Sequence, residues 1–162
     1  EARKCYKRAE ELNAMGGSRA HYTNRINLAL VEVEVENYAR ARPVFDRLVD
    51  VYAEIGLGKH IPILHLGQMC CAAGLGEWDD WETARRNYLR FVEEREFDAG
   101  EAGYLLEKAA DIARDAGNRM RGLEALEMAR DLYRRLNFPE RADVVEAEID
   151  AFQQAVSEME PG

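Results

Sequence analysis

Three histidines and three cysteines are the residues of this 162-residue chain best suited by type to bind a metal ion. The cluster of such types is His60, His65, Met69, Cys70 and Cys71. His60 and His65 are five positions apart, as are His65 and Cys70, and five positions turn about 140° around a helix. These side chains therefore cannot share one helix face. A zinc site also needs closely spaced ligand pairs from two elements. The sequence thus predicts no metal site and no cofactor.

Cys70 and Cys71 are also the candidate nucleophiles. A thiol nucleophile needs a lowered pKa and a positioned base, but both cysteines lie in the apolar stretch 61–75, where burial raises a thiol pKa. The Gly-x-Gly at 56–58 lacks the preceding strand and the following Lys-Ser pair of a phosphate-binding loop. We therefore predict a chain without catalytic activity. A small helical-bundle enzyme with a thiol nucleophile is the alternative from a different class.

Charge and composition exclude further classes of function. The chain has 22 Lys and Arg against 31 Asp and Glu, a net charge of -9, which argues against nucleic-acid binding by phosphate neutralisation. It has no signal-peptide pattern and no run of eighteen apolar residues, so we predict no membrane partner. Its three cysteines cannot all pair, which indicates a reducing, cytoplasmic location. Because the chain starts at Glu1 within a helical pattern, we expect a piece of a longer protein.

The elements that must position these residues are helical. Apolar residues recur three and four positions apart between glycine and proline breaks, which predicts about eight helices and no strand. Asn37 and either Asp79 or Asp80 are predicted helix caps, and Pro43 is expected within the first turn and a half of its helix or at a bend. The alternation of valine and glutamate over 31–35 also resembles a strand. The predicted helices are 2–15, 19–36, 37–55, 61–75, 79–96, 98–116, 118–136 and 139–158.

A small residue recurs twelve positions apart in successive helix pairs, and an aromatic residue precedes the second alanine by three in two of them, as Tyr38 and Trp81. This pattern resembles the tetratricopeptide repeat (TPR). The intervals between second alanines, starting from Ala2, are 39, 43 and 41 residues, longer than the usual 34. The chain is therefore similar to the long-helix variants found in bacterial multidomain regulators and motor light chains. The pairs are Ala29 with Ala41, Ala72 with Ala84, and Ala113 with Ala125.

The resemblance implies an all-α fold, a right-handed α-solenoid of antiparallel helix hairpins forming a single domain over 1–162. Two positions depart from the family pattern. The aromatic residue expected early in each first helix is Arg25, Gln68 or Ala109, and the closing proline occurs only as Pro139. The implied parts are a half repeat at 1–17, repeats at 18–58, 59–97 and 98–137, and a capping helix with tail at 138–162.

In TPR-like stacks the first helix of each pair lines a concave surface, so the resemblance also implies a partner-binding face. The family's carboxylate clamp is predicted to be absent, because only Asn27 and Arg114 of its residue types occur on this face. An apolar surface with a charged end suits an amphipathic helix or an extended basic segment. Alternatively, these side chains pack against a missing repeat or the last helix. The predicted face comprises Thr23, Ile26, Asn27, Leu30, Leu66, Met69, Cys70, Ala73, Glu107, Ala110, Asp111 and Arg114.

The function expected from these observations is a noncatalytic scaffold that binds a peptide or a protein domain on the concave face. The alternative is an internal regulatory or sensor domain of a larger bacterial signalling enzyme, such as a kinase, protease or transcription regulator. The stretch 140–162 has seven acidic residues against Arg141. It is interpreted as a solvated capping helix and tail, with a docking site for a basic partner as the alternative. The oligomeric state is left open.

Overall fold

A computed structural model describes residues 3, 19–94 and 100–159 of the chain. The regular structure in these ranges is entirely helical, which confirms the predicted all-α class. There are seven α-helices where the sequence predicted about eight; apart from Arg3, the predicted helix 2–15 lies outside the described residues. The elements are α1 (Arg19–Glu34), α2 (Tyr38–Glu54), a 3₁₀ turn (Gly58–His60), α3 (Ile61–Leu75), α4 (Trp78–Glu94), α5 (Gly100–Asp115), α6 (Arg119–Arg135) and α7 (Pro139–Met159).

Helix ends follow the glycine and asparagine signals of the sequence in most places. Gly56, Gly76 and Gly117 have φ of 74°, 72° and 82°, the left-handed conformation that ends a helix and suits glycine. The Asn118 side chain accepts a hydrogen bond from the Arg121 backbone N–H at 3.2 Å and so caps α6. The glycine and asparagine residues in the sequence therefore predicted these helix ends correctly.

Two predicted caps were wrong in their chemistry. Asn37 occupies the N-cap position of α2, but its side chain donates to the Glu32 carboxylate at 2.9 Å instead of capping the helix. Helix α4 begins at Trp78, so Asp79 and Asp80 lie inside its first turn, where carboxylates interact favourably with the helix dipole. Pro43 lies inside α2. The strand-like alternation over 31–35 is helical as far as Glu34.

Two compact units divide the chain, Glu1–Arg95 and Glu96–Gly162, here called unit 1 and unit 2. In unit 1, α1 packs against α2 and α3, and α3 packs against α2 and α4. In unit 2, α6 packs against both α5 and α7. The division lies two residues before the predicted repeat boundary between 97 and 98.

The core of unit 1 is centred on α3. This helix has apolar residues on every face, and a helix of that composition is stable only when it is surrounded. It contacts α1, α2, α4 and the 3₁₀ turn. All six alanines of the twelve-residue spacing are buried, in both units. Small side chains at these positions let neighbouring helix axes approach closely.

Three glycines inside the helices, Gly67, Gly74 and Gly103, provide further close approaches, each to an aromatic ring. A Cβ atom at Gly67 would lie 2.5 Å from the ring of Phe45, which is fully buried and would have to shift. Gly103 meets the Tyr133 ring in the same way in unit 2. The helix pairs α2–α3 and α5–α6 therefore require glycine at these positions. Over the ranges described, none of the helices has the combined length and apolar character needed to span a membrane.

Candidate functional site

The predicted face divides into an accessible part and an interior part in unit 1. On α1, Thr23 is exposed, and three neighbours on the same helix face are half-buried. On α3, all four predicted residues are 0% exposed. The half-buried residues are Ile26, Asn27 and Leu30, and the fully buried ones are Leu66, Met69, Cys70 and Ala73.

The burial of the α3 residues changes the surface that this chain offers. The sequence placed them on the floor of an open groove, whereas the structure places them in the interior of unit 1. The physical reason is that α3 has three helices packed around it, so its apolar residues on every face find partners within the chain. Because they have no exposed surface, these four side chains offer no contact area to a partner protein.

In unit 2 the predicted residues on α5 include one that joins three helices. Glu107 accepts a hydrogen bond from the Arg141 guanidinium of α7 at 2.7 Å and one from the Tyr133 hydroxyl of α6 at 3.2 Å. The Arg141 guanidinium also lies over the Tyr133 ring, 6.0 Å from its centroid. The hydrogen bond to Glu107 raises the pKa of Arg141, and burial is the main cause that raises the pKa of Tyr133.

A second pair of charges connects α5 and α7. Arg114 pairs with Asp111 on its own helix at 2.5 Å and with Glu148 of α7 at 3.3 Å. Asp111 and Arg114 are exposed, whereas Ala110, which the sequence placed on the same face, is buried. Of the predicted α5 residues, Glu107, Asp111 and Arg114 thus lie along one boundary with α7.

Two exposed apolar side chains lie on the same helix faces as these charges. Tyr104 is three positions before Glu107 on α5 and is 53% exposed; Val144 is three positions after Arg141 on α7 and is 54% exposed. We call the combined set the α5–α7 surface. It comprises Tyr104, Glu107, Asp111 and Arg114 of α5, and Arg141, Val144 and Glu148 of α7.

The sequence missed part of this surface. Tyr104 is exposed although it is a large aromatic residue, whereas the next two residues, Leu105 and Leu106, are buried. Arg141 and Glu148 carried a signal that could have been used, because the two are seven residues apart with opposite charge, as are Glu107 and Arg114. Such matched pairs at equal spacing indicate two helices held side by side.

Charge is segregated among the three helices of unit 2. Helix α7 carries six acidic residues against Arg141, and α5 carries four against two basic residues. Helix α6, between them in the sequence, carries five arginines against three acidic residues. The α5–α7 surface therefore lies on the two helices of unit 2 that have a net negative charge, and its two exposed apolar residues lie beside paired carboxylates and arginines.

Unit 1 contains a polar cleft of about 290 Å³ between α2, α3 and α4, here called the α2–α4 cleft. It does not coincide with the predicted face, and its residues were not identified as a group from the sequence. The reason is that they come from three helices, and helical spacing groups residues on one face of one helix but not across helices. It is lined by Arg42, Asp46, Val49, Asp50, His65, Gln68, Asp80, Thr83, Ala84 and Asn87.

A hydrogen-bond chain crosses this cleft. The Gln68 side chain donates from Nε2 to Asp46 Oδ1 at 2.7 Å, which directs its carbonyl oxygen toward His65 Nδ1 at 2.8 Å. Nδ1 therefore carries the hydrogen, and Nε2 is the basic nitrogen of the neutral ring. Burial lowers the pKa of His65, with nearby Arg90 acting in the same direction and the Gln68 hydrogen bond opposing them.

Arg42 holds the other end of the cleft. Its guanidinium pairs with Glu77 and with Asp80 at 2.5 Å, and its Nε lies 3.7 Å from Asp46. The arginine of α2 is thereby tied to carboxylates at the start of α4. Within the described residues, Asp50 has no such partner.

Cys70 and Cys71 are buried in α3, and neither forms a disulfide among the described residues. Burial raises the pKa of Cys71 to about 12; Arg42 lowers this pKa and Asp46 raises it, both by less. Such a thiol is protonated at neutral pH and is a poor nucleophile. In the described ranges, no group of three or more histidine, cysteine, aspartate or glutamate residues is placed to hold a metal ion.

Comparison with known proteins gives no relative: no protein-family model, no curated protein and no solved structure matches this chain.

Proposed function

We propose that this chain is a noncatalytic protein-binding module built from TPR-like helix pairs, and that its α5–α7 surface binds a basic, partly apolar segment of a partner protein. The observation that carries the proposal is the pairing of two ion pairs with two exposed apolar residues along α5 and α7. The surface thus offers two apolar anchors among three carboxylates and two guanidinium groups, on helices that both have a net negative charge.

The contacts within unit 2 support a repeat-like stack. Gly103 lies against Tyr133, and Gly122 lies against the backbone of Ala110, so chain order reverses between α5 and α6. The same reversal relates α6 to α7, where Tyr133 is next to Arg141 and the earlier Arg130 pairs with the later Glu146 at 3.3 Å. These contacts favour antiparallel neighbours.

The two ion pairs between α5 and α7 favour a stack in which alternate helices run parallel. Glu107 pairs with Arg141 and Arg114 pairs with Glu148, so a seven-residue step along α5 matches a seven-residue step along α7 in the same chain direction. Alternate helices of a stack of antiparallel hairpins run parallel in this way. Their shared side is the concave side in TPR-like folds.

Unit 1 supports the same arrangement. Tyr38 of α2 lies against Gly74 of α3, and the later Phe45 lies against the earlier Gly67, so these two helices also reverse direction. The α1–α3 contact joins alternate helices. We therefore propose right-handed TPR-like pairs in both units; of their first helices, α5 contributes to the binding surface, whereas α3 is enclosed within unit 1.

The chemistry of the partner follows from the charge of the surface. Carboxylates outnumber basic residues on both α5 and α7, so a segment with lysine or arginine residues gains favourable long-range attraction and a faster association. Tyr104 and Val144 supply apolar area for anchoring side chains, and tyrosine is enriched at protein interfaces. Basic and apolar residues interleaved in one segment are the expected ligand.

Selection from a random peptide library, with the full chain as bait, tests this proposal. The counter-selection bait is a Tyr104→Asp, Val144→Asp double variant. The matched control is a Met120→Asp, Phe138→Asp double variant, which changes two exposed apolar residues of unit 2 elsewhere.

We expect enriched peptides to combine basic with aromatic or aliphatic residues, to bind the wild type and the control, and to lose at least about tenfold in affinity for the counter-selection variant. Peptides that bind all three baits equally, or that lose binding only with the control, would place the binding surface elsewhere. Circular dichroism of each bait verifies that helicity is kept.

A further inference from the structure

We propose that the α2–α4 cleft of unit 1 is a binding site for a primary ammonium group. This site goes beyond the protein-binding surface proposed for unit 2, and the two involve different residues. The inference rests on what lines the cleft and on which of its polar atoms have partners.

His65 is the first observation. It is only 8% exposed and lines the cleft, so the small accessible part of its ring faces that space. Gln68 occupies Nδ1, and within the described part of the chain no protein group hydrogen-bonds Nε2. Nε2 is not among the fully buried unpartnered atoms of the described residues, so it is open to a ligand in the cleft. The neutral ring therefore presents an unused hydrogen-bond acceptor to the cleft.

The charge of the lining is the second observation. Among the residues that line the cleft, Asp46, Asp50 and Asp80 outnumber the one guanidinium, that of Arg42, which also pairs with Glu77, the residue before α4. Asp46 and Asp50 are one helical turn apart, where like charges repel. A bound cation relieves that repulsion, whereas a bound anion would add to it.

The third observation is the number of available acceptors. Among the residues that the structure describes, Asp50 and Asn87 make no hydrogen bond or ion pair, and each lines the cleft. With His65 Nε2 they supply one acceptor from each of α2, α3 and α4. A primary ammonium group has three N–H donors, so it can satisfy one acceptor on each wall. A cleft of about 290 Å³ holds such a group with a short alkyl chain.

An ammonium group can come from a free diamine or from a lysine side chain, and the test separates these sources. Cadaverine and a short lysine-containing peptide with blocked ends are titrated separately into ¹⁵N-histidine-labelled full-length protein. The His65 ring signals are followed by NMR, with His65→Gln identifying them. Tetramethylammonium is the control ligand, since it has the same charge and no N–H donor.

We expect a saturable shift of the His65 Nε2 signal with at least one of the two amines, and none with tetramethylammonium. Asp50→Asn should weaken binding about tenfold or more, because a charge-assisted hydrogen bond is lost. Glu54→Gln, one turn further along the exposed side of α2, should leave the affinity within about twofold. Response to cadaverine identifies a free amine as sufficient; response to the peptide alone identifies a lysine side chain as the source.

Three results would overturn the proposal. The first is that tetramethylammonium binds as well as the amines. The second is that Asp50→Asn and Glu54→Gln weaken amine binding equally. The third is that neither amine shifts the His65 signals while the proteins remain folded. Each would show that the cleft attracts cations only through general charge or not at all. None of these results bears on the α5–α7 surface, whose variants lie in unit 2.

Discussion

His65 makes the stability of this protein depend on pH at the scale of one residue. Because burial lowers its pKa below 6.5, the unfolded chain takes up a proton at a higher pH than the folded one does. The free energy of unfolding therefore falls as the pH decreases through about 6.5. The part of the free energy of unfolding that depends on a neutral His65 is fully present above that pH and is lost below it.

Urea unfolding measured by circular dichroism at about pH 7 and about pH 5.5 tests this prediction. We expect the wild type to be less stable at the lower pH and a His65→Gln variant, which has no titrating ring at this position, to change less. Equal loss of stability in both proteins would assign the effect to other groups.

Cys71 provides a second residue-scale prediction. With its pKa raised to about 12, its thiolate population at a given pH is about a thousandfold lower than that of an unperturbed thiol. In a Cys5→Ser background, which removes the cysteine outside the described residues, alkylation of Cys70 and Cys71 should be slow in buffer and rapid in urea. Rapid labelling of the folded protein would revive the thiol-enzyme interpretation of the sequence.

At the scale of one element, the interior position of α3 determines how strongly a substitution on it lowers stability. Met69 is 0% exposed on α3, and Met120 is 71% exposed on α6. Met69→Glu buries a carboxylate without a partner. It should lower the free energy of unfolding by about 3 kcal/mol or more, or prevent folding. Met120→Glu should change stability by about 0.5 kcal/mol or less. Thermal unfolding of the two variants compares them directly, and similar midpoints would contradict the interior position of α3.

The glycines inside the helices give a second element-scale prediction. Glycine to alanine in a helix interior normally stabilises by about 1 kcal/mol. At Gly67 the added Cβ meets the Phe45 ring, so Gly67→Ala should instead destabilise by about 1–3 kcal/mol. Adding Phe45→Leu should make the alanine less costly than it is in the wild-type background. A stabilised Gly67→Ala variant would show that α2 and α3 are further apart.

The elements themselves were largely predictable, because glycine, proline and apolar spacing are local signals. Gly76 and Gly117 end helices as expected, and α7 begins at Pro139. Burial was less predictable. The apolar residues of α3 indicate a buried helix, but the resemblance to a repeat family assigned one of its faces to a groove. Which neighbours cover a helix depends on the packing of the whole unit, which no residue of α3 encodes alone.

At the scale of the whole molecule, the two units carry different polar chemistry. Unit 1 has a cleft built from α2, α3 and α4, whose lining residues are dispersed over 42–87 and were not grouped by the sequence. Unit 2 has the α5–α7 surface, of which Glu107, Asp111 and Arg114 were predicted. Tyr104 and Val144 were missed, because exposure of an apolar residue breaks the pattern by which helix faces are assigned.

From the sequence, the acidic residues of α7 indicate a solvated capping helix. Helix α7 also stabilises unit 2 through ion pairs with α5 and α6, which involve Arg141, Arg114 and Arg134. The remaining carboxylates set the charge of the binding surface proposed here. A partner held by this charge should dissociate more readily as the salt concentration rises.

Mapping a selected peptide onto the folded protein by NMR is the most direct test that the α5–α7 surface binds a protein segment. The peptide is titrated into ¹⁵N-labelled full-length protein, and backbone amide shifts are recorded. We expect the largest changes on α5 and α7 around Tyr104 and Val144, with little change around Met120 of α6. Changes centred on Met120, or confined to unit 1, would contradict the proposed function.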